Sequence, residues 1–410
     1  MKKKFSISRR IVAAVMASFI AMTTLSACSD DSDAPDQQTD KHYVIGVIPF
    51  NDTAAEQLDW NNYLTEYVAK NYNIEFKFAT APGDAESAVT VVEELKLAGA
   101  EAILGIVDYP AAIQKANELE MWYIRAGGLS TLSDYEQIKD LPYYLGTMGP
   151  SLDEEYQAGY DMIESYVKDG KKDILVFAAI LGLYLPSDMH VFRFEGMRDA
   201  LVAAGAVYTP PASGSVVEGP GVGEFASGTS GLNITTIYGY PIESIDSTFH
   251  DRFTQAVSGK TFDAVAMTAE GSQNVNTWLN GAGITGVVIG EVSSFNATAG
   301  EAFETGILGY VVGKYGSSMG PAVIALINAL DGHADIMRNA DGTGARLTAP
   351  FWAANSSADF AAKRAFDDNA DPAFNKAIMD KYIVRLNPSV TRTSFIEFAG
   401  FSFDDLKALH

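Results

Sequence analysis

Tyr43–Phe50, YVIGVIPF, is a short apolar run that ends in proline and an aromatic residue. Such a run is too short for a helix of its own and fits a buried strand. The next segments repeat that beginning. Residues 54–70 have helical spacing, Ile74–Ala79 is a second apolar run, and residues 84–98 set Val89, Val92 and Leu95 on one helical face. Strands are then predicted at 102–107, 121–125 and 143–148, with a helix at 111–119. From residue 152 the alternation restarts. A helix at 152–168 leads to a strand at 173–178, and a helix at 192–204 stops at Gly205, a residue suited to the position after a helix. Strands at 233–238, 264–268 and 287–290 come next, with helices at 242–257 and 275–282. Thr209–Gly231, rich in Pro, Gly and Ser, reads as a long surface loop. The remainder holds a strand at 307–313, a helix at 321–330 and a strand at 346–354. Helical segments near 357–368, 372–382 and after Phe403 complete the chain. Strands alternating with helices argue for parallel sheets. Because the pattern runs twice, the expected class is α/β, with two Rossmann-like lobes.

The N-terminus points outward from the cell. Lys2, Lys3, Lys4, Arg9 and Arg10 precede an uncharged apolar stretch that ends in Leu25-Ser-Ala-Cys28. A basic start, a short apolar run and small residues before a cut make a secretory signal, and the run is short for a membrane span. Leu-Ser-Ala-Cys closely resembles a bacterial lipobox, which implies lipidation of Cys28 before the cut that removes residues 1–27. Cys28 is the only cysteine, so no disulfide forms within the chain. Residues 28–42 are acidic and polar and read as a flexible tether. Without the signal, 24 basic residues face 52 acidic ones. So negative a domain repels phosphate backbones, and no nucleic-acid partner is expected.

Five motifs, in order, carry a resemblance. They are Val44–Phe50, Leu97–Leu104 (LAGAEAIL), Gly146–Gly159 (GTMGPSLDEEYQAG), Arg193–Leu201 (RFEGMRDAL) and Phe262–Met267 (FDAVAM). Together they make the chain, over about residues 43–354, similar to the type I periplasmic-binding proteins, the sugar and small-solute binders of ABC importers. The resemblance implies a monomer with two lobes joined by a three-segment hinge. Crossovers are expected near residues 148–151, 291–294 and 331–346. One lobe would then hold 43–148 plus 292–331, and the other 149–291 plus 346–410. It also implies a small polar ligand, sugar or sugar-like, and an ABC permease as partner. Three features depart from the pattern. Glu291 and Arg125 stand where sugar binders often carry Asp, and 56 residues follow Ala354.

In open α/β sheets ligands sit at the carboxyl ends of the strands. Those ends supply Phe50, Asn51 and Asp52, then Asp108 and Tyr109, Arg125, Tyr238 and Tyr240, Glu270 and Glu291. Arg193 joins them through the Arg-x-x-Gly motif of the resemblance. Rings stack on apolar sugar faces, carboxylates accept hydroxyl hydrogen bonds, and arginine offers a fixed fork of donors. Each has a structural alternative. Asp52 also suits a helix N-cap, Phe50 a buried hinge contact, and Arg125 with Glu270 an ion pair closing the lobes. Arg125 alternatively favours a carboxylated ligand. A lipoprotein that senses ligand for a membrane kinase or chemoreceptor would have the same features, as would a nucleoside binder. Gly316-Ser-Ser-Met-Gly320 fits a hydrolase elbow, but only His333 and His410 come after it, and Pro321 suits a helix start. Gly219-Pro-Gly-Val-Gly-Glu224 lacks the flanking strand and helix of a dinucleotide site. With five scattered histidines, no metal and no cofactor are expected.

Overall fold

The computed structural model describes residues 41–106, 109–128, 131–178, 188–210, 223–239 and 247–410. The signal, Cys28 and the tether up to residue 40 lie outside the described residues, and so do Asp108 and Tyr240. The strands of the first half are β1 (Tyr43–Ile48), β2 (Ile74–Phe78), β3 (Ala102–Gly105), β4 (Trp122–Ala126) and β5 (Tyr144–Gly149). Then come β6 (Asp173–Ala178), β7 (Val207–Thr209), β8 (Glu224–Ala226), β9 (Asn233–Tyr238) and β10 (Ala264–Met267). The last four are β11 (Val288–Ser294), β12 (Leu308–Lys314), β13 (Ala345–Thr348) and β14 (Trp352–Ala354).

Two six-stranded sheets form two lobes. Their orders are β13-β5-β4-β3-β1-β2 and β14-β12-β11-β10-β6-β9. The first sheet is parallel throughout. The second is parallel except where β14 runs against β12. Strands such as β3, β5 and β10 are buried along their whole length, the burial expected of a sheet covered by helices on both faces. The order is the same in the two sheets: the first strand of each lobe lies between its second and third. Each sheet therefore has a switch point, at β1/β3 and at β6/β10, and a crevice opens there at the carboxyl ends.

Helix boundaries follow local chemistry. Ser151 and Glu154 form a reciprocal capping box that starts helix Leu152–Lys168. Asp84 caps Ala85–Leu97 in the same way, with Ser87. Helices Leu152–Lys168 and Asp188–Ala203 lie unusually close. A Cβ on Gly159 would stand 1.9 Å from the Arg193 carbonyl oxygen, and one on Gly196 1.9 Å from that of Tyr156. The glycine of the Arg-x-x-Gly motif is thus a packing requirement. Within Thr209–Gly231 the segment Glu224–Ala226 is strand β8, which pairs antiparallel with β7 just before the loop.

The lobe boundaries differ from the sequence division. The chain crosses first between β5 and helix Leu152–Lys168, beside the expected 148–151. It does not cross at 291–294. There β11 continues to Ser294, and β12 pairs with it in the second sheet. The second crossing comes after β12, through the 3-10 turn Gly316–Met319 into helix Gly320–Leu330, which packs under β3, β4 and β5. The third lies at residues 349–351. The single strand predicted at 346–354 is two strands, β13 in the first sheet and β14 in the second. Pro350 falls between them, and proline has no N–H to give a ladder.

The tail returns to the first lobe. Helix Ser357–Phe366 lies against helix Ala297–Glu304 of the second lobe, whereas Lys376–Met379 packs on Gly320–Leu330 and Arg392–Ala399 on β13. Polar ties hold this fourth crossing. Arg364 donates to both carboxylate oxygens of Asp59, at 2.6 and 3.1 Å, and to the Phe295 carbonyl at 2.6 Å. Asp367 accepts from the backbone and hydroxyl of Ser317. Among the described residues no helix is long and apolar enough to cross a membrane.

Candidate ligand-binding cleft

Residues that follow the carboxyl ends of both sheets meet across the lobes, and among the described residues two polar contacts join them there. The Leu132 N–H of the first lobe donates to Asp188 of the second at 2.7 Å. Lys314, the last residue of β12, pairs with Glu56 of the first lobe at 3.4 Å, its ammonium 5.1 Å from the Trp60 ring centre. Glu56 and Trp60 sit one turn apart on helix Ala55–Asn62, whose first turn comes after the β1 end. Phe50 meets Trp60 edge-on at 6.1 Å and is 36% exposed. The Trp60 indole N–H donates to the Tyr315 carbonyl, which fixes the ring against the second crossing.

Several polar residues singled out in the sequence serve the fold at this floor. Arg193 is 4% exposed; its Nε lies 2.5 Å from Glu155 Oε2 and its Nη1 2.8 Å from the Thr268 carbonyl. Its role here is to tie helix Asp188–Ala203 to Leu152–Lys168 and to the end of β10. Glu291 is equally buried. One oxygen accepts the Gly271 and Ser272 N–H groups at 3.1 Å each and the other the Ser293 hydroxyl, so it caps helix Ser272–Gly281. Arg125 is buried at the end of β4 and donates to the Ile106 carbonyl at 3.3 Å. Asn51 closes a local turn onto Thr53 and Ala54, and Asp52 accepts from Ala81 rather than capping the next helix. Tyr109 donates to the Pro82 carbonyl. Tyr238, on the edge strand β9, carries the Arg252 guanidinium 4.7 Å above its ring.

Glu270 differs from these. It lies just past β10, is partly buried, and is pushed up to about 7 by burial first and then by the charges of Glu56 and Glu291, against which Lys314 acts. Burial raises Glu56 as well, again opposed by Lys314. His190 is held down at about 3 by burial and by Arg193, and so stays neutral at physiological pH. Glu56, Trp60, Lys314 and Glu155 are not among the sequence candidates, because a search of strand ends omits helix residues and the sequence division places Lys314 in the other lobe.

The Glu270 shift carries a sign. The folded chain holds this proton more tightly than the unfolded one, so this group's contribution to stability is full below about pH 4.5 and is lost as pH rises through 7. Glu270→Gln is therefore expected to be neutral near pH 4 and stabilising by about 1–3 kcal/mol at pH 8. Denaturation midpoints of the two proteins across pH 4–8 check this. A difference that does not grow with pH refutes it.

Among solved structures, a periplasmic sugar-binding protein from Pseudomonas fluorescens aligns with TM-score 0.59 at 13% identity, covering 87% of this chain and all of that one. The periplasmic component of the arabinose ABC transporter from Shewanella sp. ANA-3, bound to L-arabinofuranose, aligns at 0.56 and 14% identity, over 78% of this chain and 94% of that one. The chain has the type I periplasmic-binding fold. A protein of this fold from Mycobacterium smegmatis, in complex with β-D-fucofuranose, aligns at 0.54 and 15% identity, over 78% and 93%. No protein-family model and no curated protein matches the chain. In the type I frame the cleft between β1/β3 and β6/β10 is the interlobe cleft.

Proposed function

We propose that this chain is an exported solute-binding lipoprotein, anchored at Cys28, that encloses one small polar ligand, of the sugar kind, and delivers it to an ABC importer. The observation that carries the reading is the cleft itself: two switch points face each other, with an aromatic pair, Phe50 and Trp60, and ionisable groups from both lobes between them. The sugars bound by proteins of the same fold support it. Phe50, Glu56, Trp60, Glu270 and Lys314 are the side chains proposed to meet the ligand. Arg193, Glu155 and Glu291 hold them in place. The chain acts as a monomer, and no covalent chemistry is involved. In keeping with that, Ser318 of the Gly-x-Ser-x-Gly stretch gives its hydroxyl to the Tyr315 carbonyl at 2.6 Å.

A thermal-shift screen of residues 29–410 against neutral sugars, amino sugars, sugar acids, nucleosides and amino acids tests the reading. A ligand at 100 times its dissociation constant stabilises the fold by about 2.7 kcal/mol, a shift of a few degrees. A folded chain that no compound shifts contradicts it.

A further inference from the structure

The cleft contains a seat for an ammonium group, and in this structure the protein's own Lys314 occupies it. Lys314 comes from the second lobe, whereas the seat belongs to the first: the Trp60 ring, the Glu56 carboxylate, and the backbone at Gly127, where an added Cβ would stand 3.8 Å from Lys314 Nζ. An aromatic face beside a carboxylate is how proteins receive a protonated nitrogen. The fit of Lys314 is loose. At 3.4 Å the contact is longer than a good charge-assisted hydrogen bond. Glu56 Oε1 is shut off from solvent, and Lys314 reaches it as an ion pair without a well-formed hydrogen bond. A buried acceptor in that condition gains from a better-placed donor.

The second lobe contributes a further carboxylate. Of the acids gathered at this floor, Glu155 is committed to Arg193 and Glu291 to the start of helix Ser272–Gly281. The charge of Glu56 acts on Glu270 of the opposite lobe, and Lys314 acts on both. The two carboxyl groups and Lys314 thus carry at most one net negative charge, and less while Glu270 keeps its proton. Building on the solute-binding reading above, we propose that the ligand bears a protonated nitrogen, an amino sugar in preference to a neutral one, held by Glu56 against the Trp60 ring in place of Lys314, with Glu270 at the end of β10 across the cleft. Arrival of that cation draws Glu270 back toward the ordinary carboxylate range, so binding near pH 7 releases protons.

Isothermal titration at pH 7 with D-glucosamine, D-galactosamine and D-mannosamine, each beside its neutral counterpart, tests this. Running it in phosphate and in Tris, whose ionisation heats differ, counts the protons. At least one amino sugar is expected to bind tenfold or more tighter than its counterpart (about 1.4 kcal/mol), with a heat that depends on the buffer. Glu270→Gln and Glu56→Gln, each checked by melting for an intact fold, are expected to remove the preference. Glu270→Gln is also expected to remove the buffer dependence. A neutral sugar that binds as well as its amine, or a preference untouched by both variants, overturns the proposal and leaves the solute-binding reading standing. Binding of none of these sugars overturns it too, and silence across the broader screen takes the solute-binding reading with it.

Discussion

Arg193→Ala is expected to lower the unfolding free energy by about 3–5 kcal/mol, although the sequence marks the residue as a ligand-contact candidate. The side chain is buried against Glu155, which is buried too, and the two helices that carry them meet at glycines that admit no side chain. Removing the guanidinium leaves a carboxylate sealed without its partner, the costly half of a broken buried pair. Replacing both partners by Met and Leu of similar volume is expected to recover most of the loss. Denaturant unfolding of the single and double variants measures this. A loss under about 1 kcal/mol for Arg193→Ala would mean that water reaches Glu155.

Trp352→Ala is expected to cost a similar amount, about 3–5 kcal/mol, for a different reason. Trp352 opens β14, where the third crossing enters the second lobe, and is 1% exposed. Its ring stacks on Tyr315 at 3.7 Å and meets Phe295 and Phe403 edge-on, so β12, the region after β11 and the last helix of the tail all close on it. Truncation leaves a cavity where the hinge and the tail join. Trp352→Phe is expected to lose distinctly less. The same unfolding measurement decides, and equal losses for Ala and Phe would contradict the packing argument.

The parts of the fold readable from sequence are those set by neighbours in the chain. Helix Leu152–Lys168 agrees at both ends because Ser151 and Glu154 announce its start, and β6 and β9 agree because each is one unbroken β-rich run. Helices Leu132–Ile138, Ala297–Glu304 and Arg392–Ala399 escape a reading by periodicity, since seven or eight residues hold too few turns for a period to emerge. The sequence division misplaces β12 and β13, because a strand's partner is a tertiary choice that its own residues do not encode. The same limit applies to the cleft. Strand ends bring Phe50 and Glu270 into view, but Arg193 and Glu291 look identical in sequence whether they face a ligand or cap a helix. In the fold both are buried and paired, and burial depends on what packs over them.

The two-lobe clamp is tested most directly by hydrogen–deuterium exchange with and without the tightest-binding compound of the screen. Protection is expected in both lobes together: at residues 50–60 and 125–132 of the first, and at 188–193, 268–272 and 312–316 of the second. Protection confined to one lobe, or lying at the opposite ends of the strands around residues 257–263 and 282–287, would contradict a ligand held between the lobes.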